Sequence, residues 1–279
     1  MLVAAFRGWN DGAQGATLAA GYLAQAWSAT RFADIDPEEF YDFQVTRPHI
    51  ALEEGLTRKI DWPETAFFHA ELPEIDRDVL LLLGVEPNLR WRTFTAEIVD
   101  LAQELGVELV ITLGALLADV PHTRPSPVTG SATDPDLVQE LGLAVSRYEG
   151  PTGIVGVLHD TCREAGIASA SLWAAVPHYA SLAPSPKAAL ALCTRLSDLL
   201  GAEIDFEDLE RAADAYERQV TEAVAQDEDT EAYVHELEHR RDTLGDEIDM
   251  PSGDALAEEL TRFLREHEAR TKDDPEEES

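Results

Sequence analysis

Seven consecutive residues, Val79-Leu80-Leu81-Leu82-Leu83-Gly84-Val85, carry no polar side chain and are too few for a helix of average length. Such a run reads as a strand buried on both faces, which forces helical layers above and below it. A helix is predicted next, because Phe94, Ile98, Leu101, Ala102 and Leu105 recur at three- and four-residue steps and Gly106 follows the last of them. Val107 to Leu113 is a second buried strand. Strand, helix, strand over this length predicts a right-handed βαβ unit whose two strands are parallel neighbours.

Both strands run into unusual loops, Glu86-Pro87-Asn88-Leu89-Arg90-Trp91-Arg92 and Gly114 to Pro125. Ligands of open parallel sheets collect outside the carboxyl ends of the strands. Glu86, Arg90, Arg92, Asp119, His122 and Arg124 are therefore the core of a candidate ligand-binding cleft. The arginines offer forked donors for phosphate or carboxylate, and His122 or Asp119 offers proton transfer. Equally, the arginines could pair with Glu86 and Asp119 and merely fix the loops. Were the cleft real, at least two guanidinium groups would converge on it beside His122 and the Gly8–Gly12 turn.

That turn closes the first apolar run, Leu2 to Phe6, and precedes a helix predicted over Thr17 to Trp27. Asn10 or Asp11 is placed to cap the helix, and both join the candidate cleft. The glycines at 8, 12 and 15 permit a tight turn able to hold an anion, but they match neither the dinucleotide fingerprint nor a P-loop. From Asp36 to Ala70 the texture becomes aromatic and β-branched, which predicts an inserted β-arm with a hairpin at Pro63-Glu64, serving as a lid or a surface for self-association. Ser126 to Thr133 reads as a long polar loop that adds Thr129 to the cleft, with Asp136 capping the helix after it. Ile154–Leu158 and Ala168–Val176 are predicted strands, with a short helix at Asp160–Ala165 between them. His159 and His178 follow strand ends and read as hydrogen-bonded structure. Lys187 to Leu200 is a predicted helix after Pro184-Ser185-Pro186.

Charge divides the chain near Gly201. Residues 201–279 hold 28 of the 55 acidic residues but only 8 of the 21 basic ones, within a net charge of −34. The division predicts an α/β domain over 1–200, an acidic helical extension over 201–269 and a disordered tail over 270–279. Narrow apolar stripes, Phe206 to Val224, Tyr233 to Leu244 and Leu256 to Leu264, would dock the extension rather than give it a core of its own. Such acidity excludes nucleic acid and anionic membrane surfaces as main partners. No run approaches the ~20 apolar residues that span a bilayer, and the start lacks a signal-peptide pattern, so a cytoplasmic protein is expected. Cys162 and Cys193 read as buried structural thiols. His235-Glu236-Leu237-Glu238-His239 matches the H-E-x-x-H helix of zinc peptidases, with Glu258 or Glu259 available as a third ligand. The extended pattern fails at Asp242, and chance matches are expected in so Glu-rich a segment; neither a metal site nor a cofactor is expected.

Gly8-Trp9-Asn10-Asp11, Gly84-Val85-Glu86-Pro87 with Arg90-Trp91, Leu113 to Pro125, and Ser171-Leu172-Trp173-Ala174-Ala175-Val176-Pro177-His178-Tyr179 together resemble the proteasome assembly chaperone 2 family, in its actinobacterial form. The resemblance covers residues 1 to 200 or so. It implies a three-layer α/β/α sandwich similar to nucleoside phosphorylases and related hydrolases, and self-associating proteins without an established reaction. Relatives are implied to bind proteasome subunits, often through a C-terminal hydrophobic-tyrosine-any residue tail. The chain closes on Asp274 to Ser279 without that tail. No lysine lies in a glycine-rich loop, so the older reading of the family as an ATP-dependent ligase has no phosphate-binding lysine here. A chaperone-like, self-associating binding protein is therefore the leading expectation. The alternative is a phosphorylase- or hydrolase-like enzyme acting on a small anionic substrate at the strand edge.

Overall fold

A computed structural model of the chain describes residues 1–244 except 54–56, 73, 74, 76, 133, 146–148 and 181–183. The third apolar stripe, Glu258, Glu259 and the acidic tail lie outside the described residues. The strands are β1 (Leu2–Arg7), β2 (Thr30–Ile35), β3 (His49–Glu53), β4 (Thr57–Asp61), β5 (Thr65–Leu72), β6 (Arg77–Val85), β7 (Leu109–Ala118), β8 (Val128–Ala132), β9 (Ala144–Val145) and β10 (Ala168–Pro177). The helices are α1 (Gly15–Ala26), α2 (Trp91–Glu104), α3 (Pro135–Leu141), α4 (Ile154–Ala165), α5 (Pro186–Leu200), α6 (Glu207–Val224) and α7 (Glu228–Leu244).

Eight strands form one sheet in the order β2-β5-β6-β1-β7-β10-β8-β9. The four central strands are parallel; β5 and β8 run antiparallel beside them. Side chains alternate across the pleat, so Val3 and Ala5 pack under α1 and α5, while Leu2, Ala4 and Phe6 pack under α2 and α4. This is a three-layer α/β/α sandwich, as expected for central strands with no polar face.

Several local expectations are corrected. β6 and β7 are parallel but not neighbours, because β1 lies between them and pairs with both. Every residue from Leu2 to Phe6 is at most 1% exposed, and a strand so apolar is best buried between two others. The hairpin is β3–β4, in which Ile50 opposes Ile60, and Pro63-Glu64 instead leads into β5 of the main sheet. Ile154–Leu158 belongs to helix α4, with Asp160–Ala165 as its second half. Ile154, Val155, Leu158 and Cys162 share one buried helical face, a spacing that a five-residue window shows only as an apolar run. The loop expected at Ser126–Thr133 contains β8, antiparallel to β10, and Asp134 rather than Asp136 caps α3, accepting from the N–H groups of Asp136 and Leu137.

Gly114 marks a close approach in the sheet. It stands opposite Trp173, and a Cβ there would lie 2.4 Å from the indole ring. Gly114→Ala is expected to destabilise the fold by about 1–3 kcal/mol through overpacking. Urea denaturation monitored by far-UV circular dichroism checks the loss.

Candidate functional site

The turn after β1 is held by Asp11. Its Oδ1 accepts from the N–H groups of Ala16 and Thr17, at 2.8 and 3.2 Å, and its Oδ2 accepts from Thr17 Oγ1 at 2.5 Å. The carboxylate thus caps α1 from beyond the short 3-10 turn, as the sequence suggested for Asn10 or Asp11. Burial pushes its pKa up, opposed by the bonds from Thr17 and Ala16. Asn10 is 7% exposed, and its carbonyl accepts from Ala115 N–H at 2.9 Å, tying the turn to β7.

Glu86, at the end of β6, reaches across the sheet edge. Its Oε2 accepts from Trp9 N–H at 3.2 Å and its Oε1 from Ile154 N–H at 2.8 Å. Ile154 is the first residue of α4, and the N-cap Gly153 contributes no side-chain hydrogen bond. A carboxylate from another element therefore satisfies an orphan donor at the positive end of the helix. Burial raises the Glu86 pKa, and the bonds from Ile154 and Trp9 oppose the shift. The close fit requires glycine at 153, where a Cβ would lie 2.3 Å from Asn10 Nδ2 and 2.7 Å from Glu86 Oε1. Asn10, Asp11 and Glu86 are thus brought to one end of the molecule's central strands.

The other candidate residues go elsewhere. Arg90 precedes α2 in the left-handed region, φ 56°, and pairs with Glu39. Arg92 is exposed on the first turn of α2. Arg124 forks onto Asp242 of α7, Nε to Oδ1 at 2.9 Å and Nη2 to Oδ2 at 2.8 Å, with Glu238 at 3.6 Å. Thr129 lies within β8, opposite Trp173. Arg90 belongs to the α2 layer and Arg124 is held by the α6–α7 side, so the expected convergence of guanidinium groups beside His122 is not formed. Neither arginine pairs with Glu86 or Asp119, the partners weighed from the sequence.

Asp119, His122 and Arg124 instead anchor the acidic helices. Tyr179 Oη accepts from His122 N–H at 2.8 Å and lies 2.9 Å from its Nδ1. His122 Nε2 lies 3.0 Å from Thr221 Oγ1, which itself donates to Glu217 O at 2.8 Å. This chain assigns a neutral imidazole, with the proton on Nε2 and Tyr179 donating to Nδ1. Burial and the Lys187 ammonium hold the His122 pKa below its usual value, against the pull of Glu217 and Glu238. Lys187 Nζ donates to His122 O and pairs with Glu217, and Thr123 Oγ1 donates to Glu238. Asp119 pairs with His178 at 3.2 Å and takes a hydrogen bond from Tyr233.

His235 Nδ1 pairs with Glu238 Oε2 at 3.0 Å, so the H-E-x-x-H helix spends a ring nitrogen and a carboxylate on each other. Among the described residues no three His, Cys, Asp or Glu side chains are grouped to hold a metal ion. Both cysteines are buried, with thiol pKa values pushed up to about 11 for Cys162 and about 12 for Cys193. The sequence reading missed the contribution of Gly153 and Ile154, because it assigned that segment to a strand. The signal was present as Thr152-Gly153 ahead of an apolar 3.6-residue period. Tyr179, Thr221 and Asp242 were missed because they meet the β7 loop only through packing of distant segments.

A mostly parallel sheet between helical layers, with its polar side chains gathered at the carboxyl ends of the strands, defines an α/β/α sandwich protein. Residues 5–224 match the model of the PAC2 family, and the chain belongs to that family. A PAC2 family protein from Streptomyces avermitilis is 48% identical, with a TM-score of 0.77 over 84% of this chain and 98% of that one. A Mycobacterium tuberculosis protein described as a proteasome-assembly chaperone homologue is also 48% identical, with a TM-score of 0.76 over 84% and 99%. An archaeal proteasome activator from Pyrococcus furiosus shares the fold at 19% identity, with a TM-score of 0.64 over 80% and 92%. Among curated proteins no relative matches the chain.

The neutral histidines make stability depend on pH. His159 lies against Thr112, 2.9 Å from its Oγ1, and burial lowers its pKa to about 4. The unfolded chain protonates near pH 6.5 while the folded one resists, so stability is full above 6.5 and falls as pH drops toward 4. His159 contributes up to about 3 kcal/mol to that fall. Denaturant titrations at pH 7 and pH 4.5 are expected to differ less in His159→Gln than in the wild type.

Proposed function

We propose that the chain is a cytoplasmic, self-associating binding protein that acts in a chaperone-like way on proteasome-related subunits. The observation that carries this reading is where the exposed apolar side chains lie. Of nine large hydrophobic residues exposed among the described residues, six fall between Phe32 and Trp62: Phe32, Val45, Ile50, Leu52, Ile60 and Trp62. Ile50, Leu52 and Ile60 alternate onto one face of the β3–β4 hairpin. An apolar face of this kind on a projecting arm is an interaction surface rather than scattered exposure.

Charge indicates what covers it. Val45 to Trp62 contains Arg47, Arg58 and Lys59 against Glu53, Glu54 and Asp61, and so is balanced in a chain of net charge −34. Two copies can meet through such a patch without the repulsion that the acidic helices would impose. The extension from Gly201 onward then stays on the outside of the assembly. No helix among the described residues is long and apolar enough to cross a membrane. The names borne by the relatives from Mycobacterium and Pyrococcus support a proteasome-related partner, and the arm offers that partner an apolar surface.

Sedimentation velocity tests self-association. The wild type is expected to assemble with rising concentration, and Ile50→Asp combined with Ile60→Asp to remain monomeric. Because both side chains are exposed in the monomer, each substitution should change stability by no more than about 0.5 kcal/mol. A wild type that stays monomeric at every concentration sinks the self-association reading. Purified proteasome α subunits from the same source should co-sediment with the wild type, and failure at every salt concentration would sink the partner reading.

A further inference from the structure

The β3–β4 hairpin is exposed on both of its faces. Ile50, Leu52 and Ile60 are 63%, 65% and 48% exposed on one face, and Ala51 and Lys59 are exposed on the other. A two-stranded ribbon that buries neither face is marginal in water, and additional strands are what stabilise it. Among the described residues each strand of the hairpin pairs only with the other, so each keeps one edge of main-chain groups that no other strand takes up.

The two edges differ in what a second copy meets there. Antiparallel strands related by a two-fold axis set residues an even number apart opposite each other, because the axis preserves the faces of the sheet. For β3, five residues long, the register centred on Ala51 pairs every residue. It sets Ala51 against Ala51 on the axis and Ile50 against Leu52 of the second copy, two apolar contacts on the face that also carries Ile60. Position 49 then opposes position 53, a histidine against a glutamate in the sequence. For β4 the corresponding register centres on Lys59 and sets two ammonium groups opposite each other, with Arg58 against Ile60. Like charges directly opposite are destabilising, and a lysine in this place is what blunts a strand edge.

We propose that two copies join through the free edge of β3, antiparallel and centred on Ala51, so that their hairpins form one four-stranded sheet in the order β4-β3-β3-β4. The proposal rests on self-association through the arm and specifies its contact. Main-chain hydrogen bonds between the two β3 edges hold the copies together, with Ile50 and Leu52 packed across the joint. The joined sheet carries Ile50, Leu52 and Ile60 of both copies on one face, which stays open to the proteasome-related partner.

Single cysteines in the full chain test the register under mild oxidation. Cys162 and Cys193 are fully buried, so they leave the background silent. Ala51→Cys is expected to cross-link fastest, because opposed Cα atoms about 4.5–5.5 Å apart suit a disulfide. Ile50→Cys alone should be at least about tenfold slower, its two copies lying diagonally at about 7–8 Å, and so should Lys59→Cys at about 14 Å. Ile50→Cys mixed with Leu52→Cys should cross-link as readily as Ala51→Cys. All four positions are exposed, so random collision would treat them alike. In sedimentation velocity Ala51→Lys is expected to weaken assembly about fivefold, while Lys59→Ala weakens it not at all. A wild type that stays monomeric overturns this contact together with the self-association reading. A wild type that assembles while Ala51→Cys cross-links no faster than Lys59→Cys overturns the β3 edge alone. So does fastest cross-linking of Ile50→Cys or Ile60→Cys, which marks packing of one apolar face on the other.

Discussion

The burial of β1 governs the rest of the structure. Leu2, Val3, Ala4, Ala5 and Phe6 are all at most 1% exposed, so apolar cover is needed on both faces and hydrogen-bonding partners on both edges. β6 and β7 supply the edges, α1 with α5 one face, and α2 with α4 the other. Once β1 occupies the centre, its carboxyl end must meet those of β6 and β7. The Gly8–Gly12 turn, Glu86 and the β7 loop become neighbours for that reason, although more than seventy residues separate the first from the second.

Two carboxylates use this meeting point in the same physical way. Asp11 caps α1 and Glu86 caps α4, each answering free N–H groups at the positive end of a helix. Both are pulled toward the neutral form by burial and toward the ionised form by those bonds. Asn10, between them, fits the same edge with its main chain but leaves its side-chain amide unspent.

The second cluster ties the acidic helices down through neutral and paired groups, while α6 also adds Leu209 to the core under α1 and α5. His122 is uncharged between Tyr179 and Thr221, and Arg124 is matched by Asp242. α6 adds Leu209, Ala213 and Tyr216 as buried contacts, and α7 adds Val234 and Leu237. Apart from Glu217, Glu238 and Asp242, which are engaged by Lys187, Thr123 and Arg124, the carboxylates of α6 and α7 face water, where their charge is screened. Exposed apolar side chains concentrate between Phe32 and Trp62, on β2 and on the β3–β4 hairpin among other places.

The amino-acid sequence by itself determined the class of fold, because Val79–Val85 and Leu2–Phe6 carry no polar side chain and Val107–Leu113 is apolar apart from Glu108 and Thr112. It also placed the carboxyl edge as the gathering point of polar side chains, the charge boundary near Gly201 and the capping role at Asn10-Asp11. Only the tertiary structure decided the order of the strands, since apolar composition says that β1 is buried but not that it separates β6 from β7. It likewise decided which charges meet. Arg90, Arg92 and Arg124 share a sheet edge in the linear reading, yet Glu39 and Asp242 are free to reach two of them. Ion pairing depends on distances of a few ångströms, which sequence spacing does not set between segments as far apart as Arg124 and Asp242. Ile154–Leu158 shows the same limit locally, because five apolar residues suit either a strand or a helix. Packing against Phe94 and Ile98 of α2, together with the Glu86 cap at Ile154, resolved that ambiguity in favour of the helix.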